Sequence, residues 1–120
     1  MTDQNYRELA LLDKEMRAAG QQFDIFAFPC NQFKNQEPAL NSEIADFARG
    51  KYSVQFPLFA KTDVNGPSQH PVFAELKAAL AEMDPEAGGR DIEWNFVRLQ
   101  AMRCALDVLG SSNRCTLCGV

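Results

Sequence analysis

Apolar side chains recur at helical spacing near the start of the chain, where Tyr6, Leu9, Ala10, Leu12 and Met16 share one side of a 3.6-residue repeat. The spacing predicts a helix over residues 3–19, with Thr2 or Asp3 at its start and Gly20 as a stop. The run Phe23 to Phe28 (FDIFAF) has no polar alternation beyond Asp24, which suits a buried central strand ended by Pro29. Residues 29–42 are a polar loop, and Asn41 or Ser42 is expected to cap a second helix running to about Ala48. Pro57 precedes a short strand, Leu58 to Thr62, and residues 63–68 (DVNGPS) are turn chemistry. Gln69 to Ala81 is an amphipathic helix with Val72, Phe73, Leu76 and Leu80 on one face. After a loop over residues 83–90, Ile92 to Leu99 reads as a strand. Helix, strand, helix, strand, helix, strand predicts an α/β domain with helices packed on a sheet. Beyond it, Met102 to Leu109 is weakly helical, and residues 110–120 have no useful periodicity and read as a tail.

Composition narrows the picture. A length of 120 residues suits one domain, and 46% hydrophobic with 23% charged residues is the balance of a soluble globular protein. A net charge of −4 with no Lys/Arg cluster argues against nucleic-acid binding, which needs a basic face for phosphates. No apolar run is long enough to span a bilayer, and Met1 to Tyr6 is polar, unlike a signal peptide. Cys30, Cys104, Cys115 and Cys118 are too unevenly spaced for a secreted disulfide framework, so a reducing, cytoplasmic setting is the default expectation.

Candidate chemistry begins in the loop Phe28-Pro29-Cys30-Asn31-Gln32-Phe33 with Gln36-Glu37-Pro38, which carries two Asn and two Gln directly after a strand. Loops leaving the C-terminal ends of strands are where α/β folds place their sites. A second distinctive stretch is Trp94-Asn95-Phe96. Read singly, the first is a polar surface loop and the second a core tryptophan. Together, and with Phe56-Pro57-Leu58-Phe59, Asp63-Val64-Asn65-Gly66, His70-Pro71 and Asp91-Ile92 in order between and around them, they closely resemble the glutathione peroxidase family. The resemblance covers about residues 2–98 and gives residues 1–99 as an incomplete domain of that kind, with residues 100–120 as a divergent tail.

The resemblance implies a thioredoxin-like fold, a central sheet flanked by helices, with its N-terminal strands missing here. It implies reduction of hydrogen peroxide or lipid hydroperoxides by a cysteine or selenocysteine that a thiol, glutathione or thioredoxin, then regenerates. Gln36, Trp94 and Asn95 match three members of the family's catalytic tetrad. Their chemistry fits, because side-chain amides and an indole N–H can point at a thiolate without titrating themselves. The fourth member sits in a Cys-Gly-x-Thr turn at the start of a helix, where free N–H groups lower a thiol's pKa. Thr2 and Tyr6 match that motif's threonine and the tyrosine after it, so the register puts the nucleophile just upstream of Met1.

Several positions depart from the family pattern. Lys34 and Ala39 stand where glycines are usual, and the first helix with its connection runs about two residues longer. The second helix has no resolving cysteine, Arg49 lying near that position, which leans toward glutathione as reductant. The pattern is lost after Leu99, so a truncated or frame-shifted gene product is expected. The insertion that tetrameric members carry before Trp-Asn-Phe is absent, so a monomer is expected. No metal or organic cofactor is implied.

The remaining reactive side chains have structural readings. Cys30 is expected to be a packed thiol, with a substitute redox role as the rival. Cys115-Thr116-Leu117-Cys118 is a CxxC with no helix after it, and too few further ligands accompany it for zinc. His70 reads as a residue fixing the start of a helix, and Asp63 and Glu37 as carboxylates that fix loops. A second function class stays open: a catalytically inactive remnant of the fold that binds or regulates.

Overall fold

The computed structural model describes residues 2–21, 23–86, 89–96, 98–101 and 114–119. Helix α1 spans Thr2–Ala18 and buries Tyr6, Leu9 and Asp13. Asp13 is a buried carboxylate, and Arg17 one turn on donates to both its oxygens at 3.0 Å. Gly20 ends the helix as its position predicts. At φ +66° it lets Gly20 N reach Arg17 O at 3.1 Å and Gln21 N reach Met16 O at 3.0 Å, closing carbonyls the helix leaves open.

Strand β1, Phe23–Phe28, divides the core in two. Successive side chains of a strand point to opposite faces. Phe23, Ile25 and Ala27 join Tyr6, Leu9, Ala48, Tyr52, Val54 and Phe56 on one face. Phe28 joins Cys30, Phe33, Val64, Val72, Phe73, Leu76 and Ile92 on the other, with Phe26 packed alongside. The first cluster draws on α1 and on α2, Asn41–Tyr52; the second draws on α3, Pro71–Met83. Helices thus cover both faces, as the continuous apolar run in β1 requires.

The start of α2 differs from expectation. Its N-cap is Leu40, and Glu43 reaches back to accept from Leu40 N at 2.8 Å. Asn41 serves a more distant partner, its Oδ1 accepting from Lys61 N at 2.8 Å. The helix also runs past Ala48 to Tyr52, where Ser53 takes the left-handed conformation at φ 55°. Tyr52 earns this extra turn by stacking on Tyr6, with ring centroids 5.0 Å apart.

Two expected strands are shorter or displaced. Leu58 to Thr62 reduces to a single parallel bridge, Leu58 to Ala27. Ala27 O accepts from Phe59 N, but Pro29 O accepts from Thr62 N, so three residues on one side oppose two on the other and pairing slips. Ile92 to Leu99 is not a strand at its start. Residues 94–96 turn, Phe96 has φ 62°, and β2 runs Arg98–Ala101. The tail reading also needs correction: Arg114–Gly119 is β3, the middle strand of a sheet ordered β1-β3-β2. It lies parallel to β1, with Phe23 opposite Arg114 and Phe28 opposite Gly119, and antiparallel to β2. The weak helix expected over residues 102–109 lies outside the described residues.

Candidate functional site

Two segments far apart in sequence converge. Asn95 Nδ2 lies 3.5 Å from Gln36 Oε1, a long contact between a loop that follows β1 and a turn that follows α3. Trp94 packs on Phe33 with centroids 6.0 Å apart, and the Lys34 ammonium sits 5.2 Å from the indole centroid. Phe96 meets Tyr6 edge to face at 5.5 Å. Tyr6 is in the second turn of α1, so this contact brings the turn carrying Trp94 and Asn95 toward the helix's N-terminal end. All three sequence-predicted site residues are therefore gathered into one neighbourhood.

Asn95 has one peculiarity. Among the described residues, its Oδ1 is the only buried side-chain polar atom without a hydrogen-bond partner. Buried polar groups are nearly always satisfied, and an exception calls for a ligand or a strained functional geometry. Phe96 beside it, held at φ 62°, is the kind of bulky residue for which this conformation is costly.

A network of amides fixes both segments. Gln32 Oε1 accepts from Val64 N at 2.9 Å and Asn65 N at 3.0 Å, while its Nε2 donates to Asn65 O at 2.9 Å. Asn65 in turn pairs with the main chain of Ile92, donating from Nδ2 to Ile92 O and accepting from Ile92 N, each at 2.8 Å. Lys77 is buried and donates from Nζ to Val64 O, Asn65 Oδ1 and Gln69 Oε1 at 2.9, 2.8 and 3.0 Å. Asn31 Oδ1 accepts from Glu37 N, and Lys61 Nζ donates to Glu37 O and Ala39 O, holding the Gln36 loop from its other end. Sequence reasoning missed Gln32, Asn65 and Lys77 as organisers. Lys77 alone gave a signal, as a charged residue four positions after Phe73 on the apolar face of α3.

The residues with structural readings divide. Cys30 is buried, and its sulfur lies 3.4 Å from Gln32 N. Burial pushes its thiol pKa up, against hydrogen bonds from Gln32 and Val64, and the nearby Asp63 charge adds to the rise. A thiol held protonated is a poor nucleophile. His70 is the N-cap of α3, its Nδ1 accepting from Val72 N at 3.2 Å with Pro71 following. Among the described residues, the loop contacts seen at Glu37 and Asp63 are made by their main-chain groups, Glu37 O accepting from Lys61 Nζ and Asp63 O from His70 N, each at 2.8 Å. Burial raises the Glu37 pKa, against the pull of Lys61. Cys115 and Cys118 lie on β3, so their CxxC opens no helix, and Cys104 is outside the described residues.

Charge near the start of α1 is locally balanced. Asp3 Oδ1 accepts from Tyr52 OH at 3.0 Å and pairs with Lys51 at 3.2 Å, while Oδ2 pairs with Arg7 at 2.8 Å. Arg7, then Tyr52 and Lys51, hold the Asp3 pKa down to about 2. A cleft of about 370 Å³ lined by Asn31, Leu40, Asn41 and Lys61 includes none of Gln36, Trp94 or Asn95. Among the described residues no helix is long and apolar enough to cross a membrane.

Comparison with known proteins bears on this geometry. The sequence profile described as glutathione peroxidase matches residues 1–77. A probable phospholipid hydroperoxide glutathione peroxidase 6, mitochondrial, of Arabidopsis thaliana is 43% identical over 98 residues, covering 82% of this chain and 40% of that protein. Glutathione peroxidase 7 of Mus musculus is 44% identical over 95 residues, covering 79% and 46%. A hydroperoxy fatty acid reductase of Synechocystis sp. is 50% identical over 78 residues, covering 63% and 46%. The chain thus matches less than half the length of each of these three relatives.

Proposed function

The chain belongs to the glutathione peroxidase family, and from that premise we propose that it serves the reduction of hydrogen peroxide or lipid hydroperoxides, in oxidative-stress defence, with glutathione or thioredoxin as the reductant. The family's fold is thioredoxin-like, and the helices packed on both faces of β1 are consistent with it. Hydroperoxide reduction is the family's general chemistry. The observation that carries the reading to this chain is the meeting of Asn95 with Gln36 beside Trp94, on a turn that Phe96 ties to α1.

The reaction needs a thiolate or selenolate that attacks one peroxide oxygen. The O–O bond breaks, the departing oxygen takes a proton and leaves as water or alcohol, and the attacking atom becomes a sulfenic or selenenic acid. A reductant thiol then displaces water, forming a mixed disulfide or selenenyl sulfide that a second thiol resolves. Gln36, Trp94 and Asn95 supply neutral N–H donors to the anionic nucleophile and to the oxygen that gains charge. The Asn95–Gln36 contact is long enough to yield to a better partner. The far end of the Asn95 amide is buried and unpartnered, and if the Asn95 and Gln36 amides turn over together it becomes a donor awaiting an acceptor.

The nucleophile itself belongs two positions upstream of Met1, next to the N-terminal turn of α1, where helix N–H groups favour a thiolate. Burial and a raised pKa weigh against Cys30 as a substitute. The test is peroxide consumption with glutathione and with thioredoxin, comparing this 120-residue chain with one extended upstream through a Cys-Gly or Sec-Gly. Turnover only in the extended chain is expected. Turnover by the 120-residue chain that Cys30→Ser abolishes would overturn the assignment, and an inactive extended chain would favour a binding or regulatory remnant.

A further inference from the structure

We propose that Asn65 and Lys77 are positioning residues that set the spacing between the Gln36 loop and the Trp94–Asn95 turn. The claim rests on the functional reading above for the importance of that spacing.

Asn65 faces two ways. Its main chain is clasped by the Gln32 side chain, N to Oε1 at 3.0 Å and O to Nε2 at 2.9 Å. Gln32 lies in the same short loop as Gln36. The Asn65 side chain grips both main-chain groups of Ile92 at 2.8 Å, doing for that residue what a neighbouring strand would do. Ile92 is anchored further by burial among Phe73, Leu76 and Val64, and Trp94 follows two residues later. One residue therefore ties both halves of the site to a common point.

Lys77 reinforces the orientation of Asn65 that Ile92 sets by donating from its N to Oδ1 and accepting at its O from Nδ2. An amide side chain can be turned end over end with little change in shape, so its partners decide which end is oxygen. The Lys77 ammonium, 2.8 Å from Oδ1, can only donate, so with Ile92 N it holds oxygen at that end. Nδ2 is then committed to Ile92 O. Lys77 has no freedom to move away, because its other two donors are used by Val64 O and Gln69 Oε1. Asp91 at 3.7 Å is largely exposed and adds only a screened attraction. Neither Asn65 nor Lys77 hydrogen-bonds to Gln36, Trp94 or Asn95, so both act through other residues.

The test uses Trp94, the single tryptophan of the chain, and needs no turnover. In Asn65→Ala and Lys77→Met the proposal expects a red-shifted emission, faster acrylamide quenching and loss of the proton–proton contact between the Asn95 and Gln36 side-chain amides. Asn65→Asp keeps the acceptor for Ile92 N and Lys77 but loses the donor to Ile92 O, so an intermediate shift is expected from a variant that retains most of the network. Ile44→Ala, a buried position on α2 outside the network, controls for general loosening and should leave Trp94 emission unchanged. In an active extended chain, Lys77→Met should lower kcat at least tenfold with little change in KM, since displacement of about 1 Å can cost on the order of a hundredfold. Unchanged Trp94 signals in Lys77→Met and Asn65→Asp, or an equal shift in Ile44→Ala, would overturn the proposal. Shifted Trp94 signals in a chain that never reduces peroxide would overturn the functional reading and leave the positioning role standing.

Discussion

Glu37 is a carboxyl group that the fold holds better uncharged. Burial raises its pKa above the ordinary value of 4.5, against the opposing charge of Lys61. A raised carboxyl pKa contributes stability that is full below the unfolded value and lost as pH rises through the folded one. Glu37→Gln should therefore stabilise the chain at pH 7 and lose that advantage below the unfolded value, as denaturant titrations at the two pH values would show. Cys30 obeys the same sign at the alkaline end, since its thiol is also pushed up by burial. Mass-spectrometric mapping of alkylation at pH 8 should find Cys30 modified orders of magnitude more slowly in the native chain than in denaturant. Ordered motifs single out Gln36, Trp94 and Asn95 as candidates, and in the structure Asn95 lies against Gln36 while Trp94 beside it packs on Phe33. The residues that organise them were not legible, because an amide's partner across a loop leaves no periodic trace. Asn65 looked like turn chemistry, and nothing in the string says that its side chain would take both main-chain groups of Ile92.

At the scale of elements, local signals decided success. Gly20 and the spacing of Tyr6 and Leu9 fix α1, and the apolar run fixes β1 at Phe23–Phe28. The end of α2 was not readable, since it depends on Tyr52 meeting Tyr6 from another helix. The residue that caps it offers a direct check. Ser53 holds φ 55° with its N–H bonded to Arg49 O at 3.0 Å, a conformation glycine adopts without steric cost. Ser53→Gly should raise stability by about 1 kcal/mol, measured as an increased thermal midpoint. The strands after Phe56 failed in prediction for a common reason. Pairing is non-local, and a bulge opposite Pro29 or a turn at Phe96 overrides a favourable composition. Residues 114–119 carried no strand signal by themselves, yet they form β3 through main-chain pairing on both edges.

For the whole molecule, β1 separates two apolar clusters that share no side chain. Ile25 is buried in one and Ile92 in the other. Ile25→Val and Ile92→Val should each cost about 0.5–1.5 kcal/mol. The double variant should match their combined cost to within about 0.5 kcal/mol if the layers are energetically independent. Chemical denaturation of the three variants measures this; a larger discrepancy would mean that β1 transmits repacking from face to face. The parallel register of β1 with β3 has a consequence in time as well as in space. Helices α1, α2 and α3 close their hydrogen bonds between near neighbours, whereas Phe23 must find Arg114 across most of the chain. Closing so long a loop loses entropy before any contact repays it. The pace of folding is then set by one late encounter, and until it happens β1 presents a bare hydrogen-bonding edge to whatever strand arrives first.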